Sequence, residues 1–150
     1  MPEHADILPR HAPEALRRML QIWCDIAQER RPVRADFPVD ETTLRGLAIL
    51  VPCDQGGGAR DYCFEYAGPE HTERTGRALT GASCSEVVHP WKLKHVIETY
   101  DEIFSSGEPH YWDFVNTING APPQAYSRLL LPLFDGAGNV EAAIGLWVWR

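Results

Sequence analysis

The residues in this chain that could do acid–base chemistry are six histidines and twenty-one carboxylates. Only Glu86 with His89, and His110 with Asp113, stand out as close pairs that could share a proton. Both spacings arise readily without function. The chain has no Gly-x-Ser-x-Gly elbow, no His-Glu-x-x-His and no Gly-x-Gly-x-x-Gly. Gln55-Gly56-Gly57-Gly58-Ala59 lacks the Lys-Ser/Thr of a phosphate loop and reads as a turn. Cys24, Cys53, Cys63 and Cys84 contain no Cys-x-x-Cys pair. The first residues lack the basic start and apolar core of a signal peptide. The four cysteines therefore read as reduced, partly buried thiols of a cytoplasmic protein rather than as zinc ligands.

His95 carries a sharper possibility. It lies beside the apolar stripe of a helix, between Leu93 and Val96, where an imidazole facing a cavity could ligate haem iron. A surface histidine on a face with Lys92 and Lys94 is the simpler reading, because haem needs a wide apolar cavity that the pattern does not demonstrate. The aromatic residues say more. Tyr62, Phe64, Tyr66, Trp91, Tyr100, Phe114, Tyr126 and Trp147 fall on or beside expected elements and, with His95, make up the candidate lining of a ligand pocket. Each could equally fill the core, since burying an aromatic ring is strongly favourable by area.

The elements that must position these residues follow from periodicity. Residues 1–12 read as a polar arm ahead of a single domain over 13–150. Pro13 suits the first turn of a helix. Leu16, Met19, Leu20, Trp23, Ile26 and Ala27 then form a helical stripe, with an end near Arg31 because Pro32 follows. That stripe either packs on the domain's own sheet or pairs with a second copy, which makes Leu16, Met19, Leu20, Trp23 and Ile26 the candidate homodimer interface. Asp40 or Thr42 is placed to cap a brief helical turn. Leu47, Ile49 and Val51 alternate as a strand. Tyr62, Phe64 and Tyr66 alternate as the next, with one buried face and an antiparallel hairpin between the two. Glu70–Thr75 suits two helical turns, and Pro90–Ser106 a long helix closed by Gly107. Strands are expected from His110 to about Ile118, from Gln124 to Phe134 and from Val140 to Trp149.

Composition excludes whole classes. The 150 residues are 44 % hydrophobic and 23 % charged, ordinary for one globular domain. A formal charge of −7 argues against a nucleic-acid partner. Arg17/Arg18 and Arg30/Arg31/Arg34 read as solvated helix ends. No apolar run approaches the roughly 18 residues of a membrane span.

The order of elements, together with Trp23 before Pro32-Val-Arg-Ala-Asp-Phe-Pro38, Leu47-Ala-Ile-Leu50, Tyr62-Cys-Phe-Glu-Tyr-Ala-Gly68, Gly76 with Leu79-Thr-Gly81, and Tyr126-Ser-Arg-Leu-Leu-Leu-Pro-Leu133 with its Asp-Gly-Ala-Gly-Asn turn, resembles a PAS domain of the compact, single-domain bacterial group called PAS_5. The resemblance spans roughly residues 15–149. It implies an α+β fold: a five-stranded antiparallel sheet cupped by helices, with an N-terminal amphipathic helix that often mediates dimerisation. It also implies a non-catalytic sensory or regulatory module that binds a small ligand or a protein partner and relays a signal through its surface or dimer interface. No kinase, cyclase or DNA-binding output accompanies the domain, so the expected route out is a separate signalling protein. The Asn-Cys-Arg-Phe-Leu-Gln signature of flavin photosensors is absent, which disfavours flavin; the cofactor, if any, is unknown. The rivals are a small α+β enzyme of the isomerase or hydrolase kind with a curved-sheet pocket, marked by a His/Asp or Tyr/Asp pair inside it, and a haem sensor using His95 or His89.

Overall fold

Five apolar residues on one stripe decide where the first helix goes. A computed structural model describes residues 7–39, 45–54, 60–115, 118–122 and 124–150. The cap at Asp40 or Thr42 and the turn over 55–59 lie outside them. Helix α1 (Glu14–Ala27) starts after Pro13 and buries Leu16, Met19, Leu20, Trp23 and Cys24. It ends before the expected Arg31, because Gln28-Glu29-Arg30-Arg31 offers no apolar side chain to extend the stripe. The backbone closes instead through Gln28 N–H to Cys24 O and Arg30 N–H to Ile26 O. Ahead of α1, Leu8 and Ala12 are buried in the same cluster, while Arg10 and His11 between them are exposed. The Arg30 and Arg34 side chains are neutralised within the chain: Arg30 pairs with Asp36 at 2.7 Å, and Arg34 pairs with Glu65 and, at 3.1 Å, Glu141. Together with the one-turn 3₁₀ helix Arg34–Asp36, they pin the connector to the sheet.

The strands are β1 (Leu47–Asp54), β2 (Arg60–Ala67), β3 (His110–Val115), β4 (Ala125–Phe134) and β5 (Val140–Trp149). Between β2 and β3 run helices α2 (Pro69–Thr75), α3 (Cys84–Val87) and α4 (Pro90–Ser106). All pairings are antiparallel and the sheet order is β2-β1-β5-β4-β3, so the central β5 joins the two hairpins. Both faces are covered. Leu129, Leu131 and Leu133 of β4 and Ala142, Ile144 and Leu146 of β5 meet α1. The alternate residues Tyr126, Leu130, Ala143 and Trp147 meet α3 and α4. Two-sided burial explains why β4 and β5 read as near-continuous apolar runs rather than alternating ones.

Trp23 locks α1 down by donating its indole N–H to Pro132 O at 2.9 Å. Pro132 lies past Leu130, the last β4 residue that β3 pairs, so its missing N–H breaks no bond to β3. Leu16, Met19, Leu20 and Trp23 therefore pack on the chain's own sheet, one of the two uses open to the stripe. A second copy could reach them only if α1 undocked, while Ile26 stays half-buried outside that cluster.

Two expectations about β1 and β2 change. Tyr62, Phe64 and Tyr66 do not share a face: Leu50 pairs with Phe64 but Ile49 pairs with Tyr66, a bulge at Glu65. One extra residue reverses the alternation, so Tyr66 joins the α1-side cluster while Tyr62 and Phe64 join the other. The second change concerns the thiols. Cys53 and Cys63, diagonal neighbours across the hairpin, form a disulfide with Cα atoms 5.9 Å apart. Only Cys24 and Cys84 are free, both buried. The pairing depends on strand register, which spacing along the chain does not reveal.

Candidate functional site

A cavity of about 40 Å³ lies between the α4-side face of the sheet and the segments that cover it. Its floor comes from Phe64 of β2, Phe114 of β3, Tyr126 and Arg128 of β4, and Trp147 and Trp149 of β5. His71, Arg74 and Thr75 of α2, Leu79, Val88, and Val96 and Tyr100 of α4 form the walls, and Ile118, Ala121, Pro122 and Gln124 the rim. Glycine makes the floor possible. A Cβ on Gly145 would stand 2.5 Å from a Leu130 methyl and 2.6 Å from the Trp147 ring, so its absence lets the indole lie across the strand.

The polar groups are few and mostly engaged. His71 is buried; its Nε2–H donates to Gly46 O at 2.9 Å, and its ring stands edge-on to Trp147 and Trp149 with centroids 4.9 and 5.0 Å away. Burial pushes its pKa down to about 4, so the ring is neutral near pH 7. Thr75 Oγ1 donates to His71 O at 2.6 Å. Arg74 donates to Gln124 Oε1 at 3.2 Å, and Gln124 Nε2 returns a bond to Arg74 O at 2.8 Å. That exchange ties α2 to the start of β4. Arg74 also faces Glu70 at 3.5 Å.

Arg128 is different. It is 2 % exposed, and it donates to His110 Nδ1 at 2.8 Å. Its guanidinium lies 4.6 Å from the Phe114 ring centroid and 5.7 Å from that of Tyr100. Its Nε is buried without a hydrogen-bond partner. Burial, then the Arg128 charge, push His110 down to about 4. The acceptor is thus a neutral imidazole.

Of the nine candidate lining residues, Phe64, Tyr100, Phe114, Tyr126 and Trp147 meet at the cavity and four do not. Tyr62 is a core residue that links β2 to α4, its hydroxyl donating to Asp101 at 2.7 Å. Tyr66 is on the opposite face because of the bulge. Trp91 is 76 % exposed and stacks on His89. His95 is exposed and is not among the lining residues. On a helix with 3.6 residues per turn, neither residue falls on the Val96–Tyr100–Ile103 line that α4 presents to the sheet.

Neither acid–base pair forms. Glu86 accepts from the Ser83 hydroxyl and N–H as the capping box of α3, while both ring nitrogens of His89 are buried with no hydrogen-bond partner among the described residues. His110 and Asp113 stand an odd number of residues apart on β3, which sends them to opposite faces. Asp113 instead gathers Ser127, Tyr111, His11 and Arg150; these donors outweigh its partial desolvation and hold it to about 2.

The lining residues that sequence reasoning missed are chiefly His71, Arg74, Gln124 and Arg128. Arg128 had a signal: it is the sole charge between Tyr126 and Phe134, inside an otherwise apolar strand. The other three had none, because their convergence depends on how α2 folds back over the sheet.

No family model matches the chain, and no curated protein matches it either. Solved structures do. A light-oxygen-voltage domain studied with a flavin analogue aligns with TM-score 0.55 and 21 % identity, covering 73 % of this chain and 80 % of that one. A fungal LOV domain photoreceptor aligns with TM-score 0.50 and 21 % identity over 88 % and 91 %. VqmA bound to DPO aligns with TM-score 0.51 and 15 % identity over 69 % and 52 %. At these identities the likeness concerns fold, and it agrees with the strand order and the helices over the sheet: the chain folds as a PAS domain.

Proposed function

We propose that this chain is a non-catalytic sensory or regulatory module that binds a small ligand in the cavity over β4 and β5. Occupancy is relayed through its outer surface to a second copy or a separate signalling protein. The observation that carries the reading is the chemistry of the cavity: aromatic and apolar walls converge with a few polar groups, and no carboxylate is among the described lining residues. An enzyme of the curved-sheet kind would need an acid–base pair there, whereas the only lining imidazole, His71, is neutral and bonded to Gly46 O. A volume of about 40 Å³ has room for roughly three water-sized groups, which favours a small molecule over flavin or haem. Among the structural neighbours, VqmA was solved bound to DPO, which agrees with a ligand-binding reading.

The mechanism in this reading is population shift. A ligand touching both α2 and the sheet favours the arrangement in which they are closed on each other. A homodimer would use surface other than the packed stripe of α1. No helix among the described residues is long and apolar enough to cross a membrane. A cytoplasmic setting belongs to the same reading, although the Cys53–Cys63 bond removes the reduced-thiol argument for it. Native mass spectrometry of the protein as purified tests ligand and assembly together. Discrete small-molecule adducts and a two-copy mass are expected. Adduct-free protein that also shows no shift in the Trp147 and Trp149 indole signals against a pool of small metabolites would overturn the ligand half.

A further inference from the structure

Several arginines on the outside of this protein are paired with carboxylates: Arg30 with Asp36, Arg45 with Glu73, Arg60 with Asp101, Arg150 with Asp113. The buried one is not. Arg128 lines the cavity as a permanent cation with five N–H donors, and among the described residues its polar partners are the neutral His110 imidazole and the Tyr100 hydroxyl, with no carboxylate partner. The groups around it carry no compensating charge. His110 is a neutral acceptor, and burial pushes the Tyr100 hydroxyl and the Cys84 thiol up, away from ionisation. The faces of Phe114 and Tyr100 attract the guanidinium but do not neutralise it. The second cation of the lining, Arg74, already faces Glu70. A buried charge without a counter-charge is among the most costly features an interior can hold, and a bound anion would remove that cost.

We propose that the cavity binds a small monocarboxylate, its carboxylate paired with Arg128 and its short apolar remainder against Phe64, Val96 and Trp147. This inference rests on the ligand-binding reading above and adds the chemical class. A carboxylate fits better than a phosphate because the cavity offers one unanswered charge in a planar fork, which matches two coplanar oxygens, and walls that are otherwise apolar. The small volume, about 40 Å³, calls for a short chain.

Butyrate, its neutral isostere butyramide, butanol and inorganic phosphate are the probes, followed by calorimetry and by the indole N–H resonances of the intact protein. Butyrate is expected to shift the Trp147 and Trp149 signals and leave the exposed Trp91 and Trp112 unmoved. Butyramide should bind at least about 30-fold more weakly, the effect of losing one partner of a desolvated charge pair. In Arg128→Gln, butyrate should weaken by a similar factor. Arg128→Lys, which keeps the charge but not the fork, should fall between. Equal binding of butyrate and butyramide, or of butyrate to wild type and R128Q, would overturn the inference and leave the cavity reading standing. Phosphate binding more tightly than butyrate would overturn the carboxylate class. Silence from all four probes, butanol included, would count against the cavity reading as well. The wild-type comparison decides the matter even if R128Q does not fold.

Discussion

Trp23→Ala is the sharpest probe of how this domain is assembled, because one side chain joins α1 to the sheet by both area and hydrogen bond. Trp23 is 3 % exposed and its indole N–H reaches Pro132 O at 2.9 Å. Truncating a buried tryptophan costs about 3–5 kcal/mol. Part of that is the Pro132 carbonyl left unsatisfied, about 1–3 kcal/mol by itself. The expected loss is therefore about 4 kcal/mol, a large share of the roughly 5–15 kcal/mol that holds a domain folded. With a urea slope of about 2 kcal/mol/M, the unfolding midpoint should fall by about 2 M at constant slope. Trp23→Phe keeps most of the area and loses the donor, and should cost about 1–2 kcal/mol. Equilibrium urea unfolding by circular dichroism measures both. It should be run at two protein concentrations, roughly a hundredfold apart. A dimer through another surface raises the midpoint of wild type and W23A alike, whereas burial of the α1 stripe against a second copy raises it in wild type alone. A W23A loss below about 1 kcal/mol, or a concentration dependence that W23A abolishes, would refute the docking of α1 on its own sheet.

Other outcomes follow from single contacts. Gly46→Ala should destabilise by a few kcal/mol, on the order of other overpacking changes, since its Cβ would sit 2.2 Å from the backbone oxygen of Trp147. Thermal unfolding within about 1 °C of wild type would show that the backbone there yields. Burial holds His71 and His110 down to about 4, below an ordinary histidine. The unfolded chain thus binds protons that the folded one refuses. Stability is full above about pH 6.5 and falls towards pH 4 by up to about 1.4 kcal/mol per pH unit for each ring. A His71→Gln curve running parallel to wild type through that window would contradict this. In denaturant without reductant only Cys24 and Cys84 should react with a thiol reagent. Reducing the Cys53–Cys63 bridge, with its separation of 10 residues, should lower stability by about 2–3 kcal/mol. Four reactive thiols in oxidised, unfolded protein would remove the bridge.

What could be read along the chain was whatever depends on neighbours in sequence. Pro13, the stripe from Leu16 to Trp23, the Pro90 start and Gly107 stop of α4, and the Asp135–Asn139 turn all act within a few residues. The two long helices, α2 and the five strands accordingly lie near where periodicity placed them, whereas the short helices Arg34–Asp36 and Cys84–Val87 had no such signal. Where a boundary moved, as at the end of α1, the reason was equally local, the lack of a further apolar side chain after Ala27. Five of the nine candidate lining residues also converge: alternation along β2, β3, β4 and β5 sends Phe64, Phe114, Tyr126 and Trp147 to one face, and the apolar line of α4 sets Tyr100 over it.

Tertiary structure decided everything that depends on register and on which face is covered by what. The bulge at Glu65 sends Tyr66 away from Tyr62 and Phe64, and the same hairpin register brings Cys53 to Cys63. Neither can be read from a spacing, since one inserted residue reverses every later side chain. The packing of α1 on the sheet buries the Leu16–Trp23 stripe within the chain. Above all, the fold closed α2 and α4 over Arg128 with no acid paired to it among the described residues. The sequence marked Arg128 as a lone charge in an apolar strand; only the assembled interior, where no described carboxylate answers that charge, places it in the lining of the cavity.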